Sequence, residues 1–164
     1  MKTISVVIID DEPGSVITLL ELLKQYCPQV VIKGTAADPL RGYDLIKLSE
    51  PDLVFLDIEM PYGNSFDLLD KLLPVSFEVV FITAFNEYAI RAIKYAALDY
   101  LLKPVNVDEL VEAVRKAGKR LEEKNINSRI SNLLESMKSE NAGIQKIALP
   151  TLEGSSFEDI NNIM

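Results

Sequence analysis

The stretch Leu53-Val54-Phe55-Leu56-Asp57-Ile58-Glu59-Met60-Pro61 constrains this chain most. Four apolar residues in succession suit a strand buried on both faces, as in a parallel sheet covered by helices. The run stops on a carboxylate, and Pro61 closes it soon after. Asp57 is therefore predicted to lie at the carboxyl end of a buried strand, where open α/β sheets place their ligands. An aspartate there can also simply begin a turn. Three other apolar runs that end on chemically useful residues favour the first reading.

Taken from the start, Ile4 to Ile9 is an almost unbroken β-branched run that ends at Asp10-Asp11-Glu12. Pro13 suits the first turn of a helix, where its missing N–H does no harm. Val16, Leu19, Leu20, Leu22 and Leu23 give that helix an apolar face up to about Tyr26. Val30-Val31-Ile32 predicts a second strand, followed by Gly34. Pro39 and Leu40 open a second helix with Tyr43, Leu45, Ile46 and Leu48 as apolar positions, and Pro51 ends it. Beyond Asp57, Gly63 and Asn64 predict a turn. Phe66, Leu68, Leu69, Leu72 and Leu73 then mark a third helix, stopped by Pro74. Val79 to Ile82 is another buried strand, ending at Thr83. Asn86 is expected to cap a helix carrying Tyr88, Ala89, Ile90, Ala92 and Ile93. Tyr100-Leu101-Leu102 is a short strand ending at Lys103-Pro104, and a long helical pattern runs from Val107 through Leu121.

Strands alternating with helices imply parallel strands joined by right-handed crossovers. The predicted fold is α/β: a doubly wound, five-stranded parallel sheet built as (βα)5. In the order 2-1-3-4-5, the first and third strands meet at the switch point. Residues 122–143 are polar and read either as a solvated tail or as a helix. The apolar positions Ile126, Ile130, Leu133 and Met137 would form a one-sided stripe on that helix that needs a partner. Ile147-Ala148-Leu149 restarts a strand pattern with too few residues to bury a core of its own.

Net charge is −8 over 164 residues, which argues against this segment gripping nucleic acid through phosphate contacts. It also disfavours an anionic membrane surface. No apolar run approaches the length of a membrane span, and the N-terminus shows no signal-peptide pattern. The single cysteine, Cys27, excludes an internal disulfide framework and fits a reduced cytoplasmic setting. There is no histidine. A Ser-His-Asp or Cys-His site and any histidine metal site are therefore excluded within the chain.

Four strand ends supply Asp10 and Asp11, Asp57, Thr83 and Lys103, and the predicted sheet brings them to one edge. Clustered carboxylates raise each other's proton affinity unless a cation neutralises them. Hard oxygen ligands suit Mg²⁺, which takes one or two protein carboxylates together with water and a phosphate oxygen. An aspartate beside such a cation, a lysine and a hydroxyl is equipped to become an aspartyl phosphate. Each member also has an ordinary reading. The acidic trio could stabilise the positive end of the following helix, Thr83 could be a plain strand residue, and Lys103 a surface charge.

These residues, with Met60-Pro61, Thr83-Ala84, Tyr100 and Lys103-Pro104, resemble a receiver domain of the response-regulator family of two-component signalling, over residues 1–124. The resemblance implies the flavodoxin-like fold, with Asp57 as phosphoacceptor. It implies Mg²⁺ on Asp11, Asp57 and the Glu59 main-chain carbonyl, with Asp10 acting mostly through water. It also implies Lys103 on the phosphoryl group, a cis Lys103–Pro104 peptide, and Thr83, Ala84 and Tyr100 as the switch. The stretches 84–89 and 97–104 are similar to the LytTR subgroup. That similarity implies a helical linker over 125–143 and the start of a DNA-binding domain over 144–164.

The leading expectation is a phosphorylation-controlled module of a transcription regulator, catalysing only its own phosphorylation and dephosphorylation. Its partners would be a sensor histidine kinase and a second copy of itself. The copy would meet the surface of helix 86–96, strand 100–102 and helix 107–121, together with the linker stripe. DNA would be reached only through the following domain, and no membrane is involved. An aspartyl-phosphate phosphatase or phosphotransferase is the enzyme alternative, but no insertion is long enough for a substrate-covering cap. A receiver that serves only as a protein-interaction module is the third.

Overall fold

The computed structural model describes residues 2–60 and 63–140. Five strands form one parallel sheet: β1 (Ile4–Ile9), β2 (Val30–Ala36), β3 (Leu53–Leu56), β4 (Glu78–Thr83) and β5 (Asp99–Leu102). Their order is β2-β1-β3-β4-β5, the doubly wound arrangement expected. The helices are α1 (Pro13–Tyr26), α2 (Pro39–Ser49), α3 (Ser65–Lys71), α4 (Ala89–Lys94) and α5 (Val107–Glu140). A two-residue antiparallel ribbon pairs Glu59–Met60 with Gly63–Asn64. The chain divides into two units, 1–121 and 122–164.

Strand residues alternate between two cores, as the two-residue period requires. Val7, Ile9, Val54, Leu56, Val79 and Phe81 face α2, α3 and α4. Ile4, Val6, Ile8, Leu53, Phe55, Val80 and Ile82 face α1 and α5. Burying one Leu or Phe of this kind contributes about 1.5–3 kcal/mol. Phe66 packs against Phe81 and Tyr95 with tilted rings, its centroid 5.2 Å from each of the other two. Lys116 holds Asp99 at 3.1 Å and fixes α5 to the sheet.

The central pair β1 and β3 is fastened at its amino end. The Ser5 N–H and hydroxyl both donate to Asp52 Oδ2, at 2.9 and 3.0 Å. The Asp52 N–H donates back to Ser5, at 2.9 Å from its carbonyl oxygen. From there the register runs Val6 opposite Leu53 to Ile9 opposite Leu56.

Several local expectations are corrected. Asn86 does not cap α4. Residues Asn86–Tyr88 form a separate 3₁₀ turn, and no side chain caps the α4 N-terminus. Asn64, expected only to turn, accepts from the Phe66 and Asp67 N–H groups and caps α3. Strand β2 extends past Ile32 to Ala36 because an irregularity between Val6 and Val7 of its partner absorbs Lys33 and lets Gly34 pair. Leu48 and Leu73, counted as apolar-face positions, are exposed. So are Ile90 and Ile93, at 76% and 74%, since α4 is only six residues long and lays just Ala92 into the core.

Residues 122–140 continue α5 as a helix, and Ile126, Ile130, Leu133, Leu134 and Met137 are all exposed along it. The strand pattern expected over 144–164 lies outside the described residues. Among the described residues no helix is long and apolar enough to cross a membrane.

Candidate functional site

Five of the predicted site residues sit at or just past the carboxyl end of a strand, because all five strands point the same way, whereas Tyr100 lies within β5 and Glu59 in the short ribbon. Asp10 and Asp11 follow β1, Asp57 follows β3, Thr83 ends β4, and Lys103 follows β5. Asp10 and Asp57 are 7% and 6% exposed. Asp10, Asp11 and Asp57 each offer a carboxylate oxygen within 4.8 Å of the others. Lys103 closes the group, with Nζ 2.9 Å from Asp10 Oδ2 and 3.0 Å from Asp57 Oδ2. Glu12, whose partner could not be read from the sequence, reaches the same ammonium at 2.6 Å. The Lys103–Pro104 peptide is cis, as the resemblance implied.

Thr83 is fully buried, and its Oγ1 accepts from the Phe85 N–H at 3.3 Å. Ala84 and Phe85 line an open cavity of about 460 Å³ together with Asp11, Glu12, Asp57, Glu59 and Lys103. Tyr100 is half-buried and its hydroxyl donates to the Phe85 carbonyl, so it turns toward the loop that follows Thr83. Ser65, also unanticipated, is buried at the start of α3 and donates its hydroxyl to the Asp57 carbonyl. It orients the backbone of the loop that carries Asp57. The apolar run after the Gly63-Asn64 turn marked the helix, but nothing in that pattern pointed to a contact eight residues back.

Burial pushes the Asp57 carboxyl up from its ordinary 3.8 to about 6, with the neighbouring Asp10 charge adding to it and Lys103 opposing. Burial works against the Lys103 ammonium, but its hydrogen bonds to Glu12, Asp10 and Asp57 outweigh that and hold its pKa above the ordinary value. Glu12 is lowered, first by its hydrogen bond to Lys103 and then by that residue's charge. One ammonium thus faces a group of acids that it only partly neutralises. Three convergent hard-oxygen donors, two of them buried, match what a divalent cation needs and what an uncompensated cluster lacks.

A pH dependence follows for the protein in chelator. A carboxyl whose pKa is higher folded than unfolded contributes stability that is present below its unfolded value of about 4 and is lost as pH rises through about 6. Asp57→Asn lacks this titration. The melting temperature of the variant, measured against wild type from pH 4 to 7, should therefore gain on it as pH rises. A constant difference across that range would contradict the raised pKa.

The carboxyl edge of this doubly wound sheet thus gathers three aspartates, a lysine and a buried threonine. The response regulator receiver domain model matches residues 6–115, and the chain belongs to that family. It is 40% identical over 114 residues to an uncharacterized response regulatory protein of Vibrio cholerae, covering 69% of this chain and 48% of that one. It is 36% identical over 118 residues to the sensory transduction protein LytT of Enterococcus faecalis, covering 71% and 48%. Among solved structures, the response regulatory domain of mrkE from Klebsiella pneumoniae superposes with a TM-score of 0.67 at 28% identity, covering 73% of this chain and 98% of that one. The chain spans about half the length of the curated relatives it matches.

Proposed function

We propose that this chain is the phosphoacceptor switch of a response regulator, taking a phosphoryl group on Asp57 from a sensor histidine kinase. The carrying observation is Asp57 itself: a buried carboxylate that faces an open cavity, with a lysine at 3.0 Å and two more aspartates within reach of one ion. Asp57 attacks phosphorus, the bond from phosphorus to the donor nitrogen breaks, and the donor keeps that electron pair. Lys103 offsets charge on the phosphoryl oxygens. Asp10, Asp11, Asp57 and the Glu59 carbonyl would hold Mg²⁺, which supplies charge neutralisation at the transferring group when bound. The histidine must come from the partner, since this chain has none. A stable, stoichiometric adduct after treatment with a small phosphodonor supports a switch, whereas sustained turnover of a small phosphoester would support the phosphatase alternative.

Output is proposed to run through assembly. Thr83 moves toward the phosphoryl group, and Tyr100 turns into the space it leaves, because packed interiors tolerate few voids. The face so altered carries exposed Ile90, Ile93, Leu102 and Val111, apolar surface suited to a second copy. The stripe Ile126, Ile130, Leu133 and Met137 follows d-a-d-a heptad spacing and suits the same pairing. A LytTR-type DNA-binding domain beyond this chain would be the effector, in a regulator working in the cytoplasm. In sedimentation, fluoroberyllate with Mg²⁺ should shift the protein toward dimer, and polar substitutions at Ile130 and Leu133 should weaken that dimer. A monomer in both states at high concentration would refute the coupling.

A further inference from the structure

We propose that Ser65 is a positioning residue for the metal site, setting how tightly the Glu59 main-chain carbonyl and its neighbours hold Mg²⁺; this rests on the metal and phosphoacceptor reading above. The starting point is a hydroxyl in an unexpected place. Asn64 and Ser65 are both of the kind that caps helices. Asn64 does that work for α3, its Oδ1 accepting from the Phe66 N–H at 3.0 Å and the Asp67 N–H at 3.1 Å. Ser65 is therefore not needed as a cap, yet it is fully buried and is followed by the core residues Phe66, Leu68 and Leu69. Alanine would suit that helical place better, because a buried hydroxyl must find a partner. The partner is the Asp57 carbonyl oxygen, to which Ser65 donates across eight residues. Positions that carry a polar group where an apolar one would pack are where function is expected to intrude.

The contact closes a loop. The Ser65 N–H donates to the Ile58 carbonyl at 2.9 Å, so this one residue ties down two successive carbonyls. Glu59 lies opposite Asn64 and Met60 opposite Gly63 in the short ribbon. Glu59 is thus held from two sides, by its ribbon partner and by the clip on the two residues before it. A side-chain ligand can adjust by rotation, but a main-chain carbonyl goes where the backbone goes. Mg²⁺ demands near-octahedral geometry with ligands at about 2.0–2.1 Å, and so tolerates a shifted carbonyl poorly. The Ser65 hydroxyl also fixes the peptide plane that follows Asp57, the carboxylate shared by metal and phosphoryl group. It touches neither of them and acts through the backbone that carries their ligands. Outer groups that orient metal ligands change affinity by about 10- to 100-fold. The ribbon still holds Glu59 when the hydroxyl is lost, so the lower end of that range is expected.

The test is an amide NMR titration of the whole chain with magnesium chloride, in which the metal-free spectrum also shows that each variant is folded. Wild type, Ser65→Ala and Ser65→Cys are compared. Alanine removes the hydroxyl and leaves a small void, whereas cysteine fills the space and offers only a weak donor. The Mg²⁺ dissociation constant should rise about tenfold in both. A merely structural serine would lower the melting temperature in chelator and leave that constant at its wild-type value, and this result would overturn the proposal. A rise confined to one of two folded variants would mean packing at the site rather than the hydrogen bond, and would overturn it as well. If either variant fails to fold, the constant of the other decides. Wild-type protein whose amides do not respond to millimolar Mg²⁺ would instead remove the metal reading on which the proposal stands.

Discussion

Incubated with acetyl phosphate and Mg²⁺, the wild-type chain should gain one phosphoryl group, and Asp57→Asn should gain none in the time that labels wild type fully. An amide carries no negative charge and is a far poorer nucleophile than a carboxylate. The substitution leaves the rest of the site in place, because Lys103 still has Asp10 and Glu12 to hold it. Asp10 is badly placed to substitute, since its Oδ1 already accepts the Glu12 N–H at 2.9 Å and its Oδ2 meets Lys103. Intact mass measured before and after treatment reads the result. Labelling of Asp57→Asn to the wild-type level would remove Asp57 from its proposed role.

Mg²⁺ should raise stability markedly. The folded site gathers three carboxylates that the unfolded chain keeps apart, so a cation binds the folded state selectively and stabilises it by mass action. At one hundred times its dissociation constant the gain is about 2.7 kcal/mol, or roughly 10 °C in melting temperature for a domain of this size. Asp11→Ala removes one donor oxygen of the group, and less than half of the gain should remain. A melting temperature that does not move across a millimolar titration would count against a metal site.

The residues of the candidate site were legible because its charged and hydroxyl groups sit at strand ends. An apolar run that stops on Asp, Thr or Lys announces both the strand and the group it presents, and parallel strands bring such ends together without any knowledge of loops. Glu12 and Ser65 escaped for the opposite reason. Their partners, Lys103 and the Asp57 carbonyl, are set by tertiary packing, and no spacing in the chain encodes a contact across 91 residues. Helix α4 escaped because helical periodicity does not say whether a face has a sheet beneath it. Ile90 and Ile93 have the right spacing for a core, but a short helix preceded by a 3₁₀ turn leaves them in solvent.

The clasp between Ser5 and Asp52 acts as a ruler. Strands add about 3.3 Å per residue, so five residues beyond each of them the two chains have advanced some 16 Å in step. They then deliver Asp10 and Asp57 side by side. Slipping the pair by one residue would displace one carboxylate along the strand and turn alternate side chains to the wrong face. The spacing of charge at the carboxyl edge is thus measured out from the opposite edge, in backbone hydrogen bonds. Loops around the cavity can vary in sequence without disturbing that length.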